Sequence, residues 1–271
     1  MSSVTNGSAH GRRIARRRKG GRSGTPARGL LPLVVVLGVW QLIGDSHSPY
    51  FPPPSKWYAE TWPLVGRGEF LPALRSTATT FIVGLLVATI VGGALGLFVG
   101  SSRRADKALG PSLEFLRILP AASLVPVASL ILGYNVQMEL SLVTLIATWP
   151  ILLTCRAARR SMSSVLLDVP RTLGLSRRER FTKVLLPAMA QPVLLGVRVS
   201  APLALIITLL VEIVTRVPGV GALLGAAQAN FRSAQVWGLL MVAGLLGYIV
   251  NWTVTGLEGR VSARLGTNAT D

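Results

Sequence analysis

Three places in the chain hold residues whose type and spacing could do chemistry. The first is Glu212, a carboxylate at the end of an apolar run that begins near Pro192. Placing an acid in a bilayer costs about 2.5–3.5 kcal/mol on insertion scales, so it needs a polar interior or a partner. With Thr208 one turn back on the same helix face, Glu212 could form the wall of an aqueous path, or a gate. A structural hydrogen bond to a neighbouring helix would meet the same need, and the sequence leaves both readings open. The second is the stretch Leu167-Asp168-Val169-Pro170-Arg171-Thr172-Leu173-Gly174-Leu175-Ser176, in which a Pro, a Gly and a capping Ser follow at short intervals. The third is an absence. Two His and one Cys cannot supply a disulfide framework or a His/Cys metal site within one chain. Cys155 reads as a buried small hydrophobe. There is no Gly-x-Ser-x-Gly, no Gly-rich phosphate loop with its Lys, and no expected pairing of intramembrane carboxylates with a base nearby. No catalytic residue, metal or cofactor is therefore assigned to this chain, and directed work must draw on a partner or an ion gradient.

The elements that must position these residues are long and apolar. Half of the 271 residues are hydrophobic and 14% are charged, yet the formal net charge is +17. Soluble domains carry roughly a quarter charged residues. The charges lie between uncharged runs and form no basic stripe, which argues against a nucleic-acid partner. A bilayer core of about 30 Å needs about 20 apolar residues as helix, because only intrachain hydrogen bonds satisfy the backbone there. Six spans are expected, at about 30–47, 72–101, 113–132, 137–157, 192–214 and 233–257. The third and fourth are separated at Gly133-Tyr134-Asn135, since one rod from Arg117 to Arg156 would reach about 58 Å. The first is short and needs snorkelling ends or a thin bilayer. If the amino terminus is cytoplasmic, 21 of the 28 basic residues fall on the inside, and only Lys56, Arg67, Arg75, Arg216 and Arg232 fall outside. Six crossings with both termini inside follow from that bias.

Residues 1–29 are Gly-, Ser- and Arg-rich and are expected to be a disordered basic tail, either a topology anchor or a contact for anionic lipid heads. Gly44-Asp45-Ser46-His47 lacks a small-x-small cleavage pattern, so removal as a signal peptide is not expected. Gly92, Gly96 and Gly100 permit close helix approach, within the chain or between copies. Trp57, Tyr58, Trp62, Trp149 and Trp252 are candidate interface anchors, the first three on a short external helix. Arg198 reads as a snorkelling residue, with a substrate contact as the alternative.

Residues 158–191 form a loop far longer than the usual connection of about 4–6 residues. Pro170 is expected at a first helical position, and Gly174 then interrupts the helix. Ser176-Arg177-Arg178-Glu179 has capping-box spacing and is expected to open a second helix, Arg177–Leu186, ended by Pro187, with Pro192 starting the next span. Such a loop suits docking on a cytoplasmic partner, or lying on lipid heads.

The same residues resemble the cytoplasmic coupling loop of ABC importer permeases, whose pattern is Glu-Ala-Ala-x-x-x-Gly with Leu-Pro about a dozen residues later. Gly174 and Leu186-Pro187 match it, and Asp168-Val169-Pro170 stands in place of the acidic-Ala-Ala opening. Phe51-Pro52-Pro53-Pro54-Ser55, Gly68-Glu69-Phe70-Leu71, Leu116-Arg117-Ile118-Leu119-Pro120, Leu124-Val125-Pro126, Ala201–Glu212 and Gly219-Val220-Gly221 extend the resemblance over roughly residues 50–258, towards the nitrate/sulfonate/taurine branch. It implies an all-α, polytopic permease of the type I importer (MetI-like) fold in a bacterial inner membrane, with a permease domain over 30–258 and a cytoplasmic tail over 259–271. It also implies paired permeases, two ATPase subunits that hold the ATP-Mg, and an extracytoplasmic solute-binding protein. Asp168 to Gly174, with Ser176, would then couple to the ATPase. An ion-coupled secondary transporter is the alternative.

Overall fold

The computed structural model describes residues 26–46, 48–118 and 120–264, and every regular element among them is a helix. The expected disordered tail, 1–29, lies outside these residues up to residue 25, while its last four residues, Pro26 to Gly29, are helical; residues 265–271 also lie outside. The chain divides into two compact units, one up to Ile43 and one from Gly44 onward. The first contains α1, Pro26–Ile43, whose apolar part is Leu31–Ile43.

The second unit holds the rest: α2 (Pro54–Gly66), α3 (Phe70–Ser101), α4 (Arg103–Ile118), α5 (Ala121–Leu132), α6 (Val136–Ser161), α7 (Ser164–Thr172), α8 (Arg177–Glu179), a π-helical segment (Arg180–Leu185), α9 (Leu186–Thr215), α10 (Val220–Ala229) and α11 (Ser233–Arg264). Among the described residues, four helices are long and apolar enough to cross a membrane: α3, α6, the continuous helix Arg177–Thr215, and α11 through Val261. The bent pair α4–α5 supplies a fifth candidate.

The stretch expected as one third span, 113–132, is not a single helix. Two helices meet there with a 94° bend. Pro120 is extended (ψ 119°) and has no amide hydrogen with which to continue the ladder of α4. The turn at 133–135 is closed by Asn135, whose side chain accepts from the Met138 amide at 2.8 Å.

Helices α3, α6 and α9 form the core around Ala88, Val143, Ala147, Ile151, Cys155 and Val211, all fully buried. Glycines set how close the axes come. On α3, Gly84 lies against Val143, Gly92 against Ile151, Gly96 against Cys155 and Gly100 against Arg159, all on α6. Their small size is used within one chain. A second cluster, Leu64, Val220, Ala227 and Leu239, packs α2 and α10 against α11. There Trp57 is buried, stacks on Trp237 with ring centroids 5.6 Å apart, and donates to the Pro52 carbonyl at 2.8 Å. It is a core residue rather than an interface anchor, because the Pro-rich entry to α2 folds its indole inward. Tyr58 and Trp62 remain exposed on the same helix.

Candidate functional site

Glu212 and Thr208 both lie on α9 and are fully buried. The Thr208 hydroxyl donates back to the Ala204 carbonyl at 2.9 Å, whereas Glu212 finds its partners on other elements. The backbone after α9 turns at Arg216, which adopts a left-handed conformation (φ 57°), and α10 begins at Val220. A helix start leaves its first amides unpaired. The N-cap of α10 is Gly219, which has no side chain to offer. The caps come from elsewhere. Glu212 Oε2 accepts from the Gly221 amide at 2.7 Å, and the Thr77 hydroxyl of α3 accepts from the Val220 amide at 2.9 Å. Thr77 also donates to Glu212 Oε1 at 2.7 Å, which closes the network. A carboxylate at a helix start is doubly favoured, by hydrogen bonds and by the helix dipole.

Both glycines of Gly219-Val220-Gly221 are required sterically. A Cβ at Gly219 would fall inside the Glu212 carboxylate, and one at Gly221 would stand 2.7 Å from the Glu212 Cβ. Their backbone must lie on the acid for the caps to form.

A second carboxyl completes the cluster. Glu139 of α6 is fully buried and faces Glu212 and Thr80, with no well-aligned hydrogen bond of its own among the described residues. Intramembrane carboxylates are thus paired, contrary to expectation. Two facing carboxyls attract only if one carries a proton to donate. The chemistry of the cluster is to tie α3, α6, α9 and the start of α10 together.

At the other end of these helices lies an ionic cluster. Asp106 of α4 is 6% exposed and accepts from Arg156 Nε at 2.6 Å; Arg160 pairs with its other oxygen. Arg156 also reaches Glu114 at 3.5 Å, and Gly110 lets the guanidinium lie against α4. Arg156 and Arg160 are one turn apart on α6, but nothing in the sequence indicated that their partner lay 50 residues upstream. Asp106→Asn is expected to lower stability by about 2–4 kcal/mol, since it leaves two guanidinium groups short of a buried counter-charge. Thermal unfolding of the detergent-solubilised protein checks this, with Glu114→Gln as a milder comparison.

The loop after α6 departs from expectation in two ways. Asp168 and Pro170 lie inside α7, which starts at Ser164, so Pro170 is not at a first helical position. In a nine-residue helix the ring removes a single hydrogen bond, and α7 accommodates it. The stop is as expected. Gly174 is left-handed (φ 69°), and the Leu175 amide bonds back to the Pro170 carbonyl at 3.0 Å, a Schellman closure. Val169, Leu173 and Thr172 are exposed on α7 or just beyond it, and Arg171 contributes its backbone.

Ser176 and Glu179 form the full capping box. The helix they open does not end at Pro187, nor does a new one start at Pro192. It continues through both to Thr215, 39 residues in all. The register widens to a π-helix over Arg180–Leu185, just before Pro187. A wider turn relieves the clash between the proline ring and the preceding carbonyl, so the helix survives it. Arg198, farther along, pairs with Glu258 of α11 at 3.1 Å.

Comparison with known proteins adds the lineage. A family model described as "binding-protein-dependent transport system inner membrane component" matches residues 84–266. The chain is 26% identical over 237 residues to SsuC of Bacillus subtilis, named for aliphatic sulfonates transport as a permease protein, covering 86% of each. It is 26% identical to the bicarbonate transport system permease protein CmpB of Synechococcus elongatus, covering 84% of this chain and 88% of that protein. It is 25% identical to the nitrate import permease protein NrtB of a Synechocystis species, covering 86% and 88%. Among solved structures, an inward-facing MetNI methionine ABC transporter chain superposes with a TM-score of 0.62 at 15% identity, covering 75% of this chain and 98% of that one, which establishes a shared fold.

Proposed function

The chain belongs to the family of binding-protein-dependent transport system inner membrane components, and from that premise we propose that it is the multi-pass permease subunit of an ATP-driven importer for a small oxyanion. The relatives' names support the substrate class: sulfonates, bicarbonate and nitrate all carry a delocalised negative charge on oxygen. The family description includes a binding protein, which favours this reading over an ion-coupled transporter. ATP-Mg would be held by a separate pair of cytoplasmic ATPase subunits. Two copies of the permease would enclose the path, with lipid around them, both termini in the cytoplasm and the binding protein on the outer side.

The observation that carries the mechanism is the continuity of Arg177–Thr215. The helix that opens in the loop is the same rigid body as the membrane-crossing α9. Short, abruptly stopped α7 stands at its foot, and Asp168 through Gly174, with Ser176, form the face offered to the ATPase. A displacement of that face by closing ATPase subunits is delivered along α9 to Glu212 and the start of α10. Glu212 and Thr208 would act there as a gate; the burial of both supports a closed gate better than the wall of an open channel.

The test is co-purification with the ATPase subunit. Asp168→Arg and Gly174→Pro should each insert into the membrane normally and lose at least about tenfold in recovered ATPase. Gly174→Pro acts through the backbone, because proline cannot adopt φ 69°. Recovery of the ATPase at wild-type yield with both variants would reject the coupling assignment.

A further inference from the structure

Between the end of α6, α7 and the π-helical segment lies an open cavity of about 710 Å³. That is within the ~300–1,000 Å³ of ordinary ligand sites. Arg159, Arg177 and Arg180 line it, and Asp168 is the one acid among the lining residues. The Nε atoms of Arg159 and Arg180 are buried and have no hydrogen-bond partner among the described residues. Buried donors are nearly always paired, and an anion held by these guanidinium groups would compensate the charge that the two unpaired donors belong to. Guanidinium groups suit tetrahedral and planar oxyanions because their donors are fixed in a fork. The rest of the wall is apolar: Met162, Leu166, Pro170, Phe181, Val184 and Leu185. The π-helical register itself begins at Arg180, and such register shifts recur at functional sites.

We propose that this cavity binds a phosphate-bearing anion, held by Arg159 and Arg180 at the base of the coupling loop. The apolar wall suits the acyl portion of a phospholipid whose headgroup meets the arginines; a free phosphate would use the arginines alone. The site goes beyond the importer reading, since it is built from this chain's residues and needs no ATPase to form. An anion there would brace α6 against the foot of α9.

The experiment uses the purified full chain in uncharged detergent, stripped of lipid. Native mass spectrometry measures retention of phosphatidylglycerol, with diacylglycerol as the phosphate-free lipid, and inorganic phosphate is titrated as competitor. Wild type and Arg103→Gln/Arg104→Gln, which removes two exposed charges on α4, should retain phosphatidylglycerol and not diacylglycerol. Arg159→Gln/Arg180→Gln should retain it at least about tenfold more weakly, as expected for loss of charged hydrogen bonds. Displacement of the lipid by inorganic phosphate, or phosphate binding without lipid binding, would assign the site to the free anion. A measurement on wild type alone runs beside this: phenylglyoxal modification of Arg159 and Arg180 should be suppressed by whichever of the two binds, with Arg103 and Arg104 unprotected. The proposal is overturned if neither probe binds wild type, if the glutamine variant binds equally, or if protection is absent or uniform over all four arginines.

Discussion

Gly96→Leu should yield a chain that enters the membrane but does not hold its bundle together. The Cβ that leucine adds would stand 2.6 Å from the Leu152 carbonyl and 2.6 Å from the Cys155 Cβ, distances that real contacts do not reach. One of these atoms is backbone, so no side chain can swing aside, and α3 must move away from α6. The separation spreads along the interface, because Gly84, Gly92 and Gly100 make equally close approaches to the same helix. Small residues matter here because association in lipid draws on van der Waals packing rather than on exclusion of water. Overpacking of a well-filled core costs about 1–3 kcal/mol, and a clash with main chain lies at or above the top of that range. Gly244→Leu on α11 is the control, since no heavy atom lies within 4 Å of its added Cβ. The prediction is a loss of the monodisperse peak, or a fall in unfolding temperature, for Gly96→Leu alone. Equal behaviour of the two variants would show that the close approach of α3 and α6 is not what holds the core.

Some of this architecture was legible before any coordinates, and the reason is range. Two features set by neighbours in sequence are of this kind. Ser176 and Glu179 are three residues apart and cap each other in a way their types dictate. Gly174 ends α7 because only glycine takes a left-handed conformation there at little cost. The proline rules were overridden. Pro170, Pro187 and Pro192 each lie inside a helix, since a π-helical register or a single forfeited hydrogen bond is cheaper than breaking an element with long flanks in apolar surroundings. The pairs that join distant elements left no local trace. Asp106 with Arg156, Thr77 with Glu212, and Glu139 with Glu212 depend on which faces meet, and helical periodicity in an almost wholly apolar segment does not say which face that is. Glu212 itself stood out as an acid in an apolar run. Its partners could have been suspected from Gly219-Val220-Gly221, because glycines on both sides of a helix start imply that something approaches the backbone closely.

The second large effect separates two roles for Glu212. Glu212→Ala should destabilise the protein by about 2–4 kcal/mol, because it strips the Gly221 amide of its buried acceptor and leaves a void beside Glu139 and Thr77. Glu212→Gln has a different expectation. The amide oxygen can accept from Gly221, and the amide N–H can point to Thr77 Oγ1, which then turns its own proton to the Ala73 carbonyl 3.2 Å away. The Val220 amide keeps its bond to the same oxygen, which has two lone pairs. The Gly221, Val220 and Thr77 donors are satisfied again and the second amide N–H can turn to the facing Glu139 carboxyl, so the stability change should stay within about 1 kcal/mol. Stability and ATP-dependent uptake by the reconstituted importer, measured on the same two variants, then give a clear division. If Glu212→Gln folds as wild type and transports as wild type, the carboxylate is a remote cap for α10 whose charge has no part in gating. If it folds as wild type but uptake falls while substrate-independent ATPase activity rises, the charge acts in the gate. A glutamine variant as unstable as the alanine one would refute the hydrogen-bond exchange on which both readings depend.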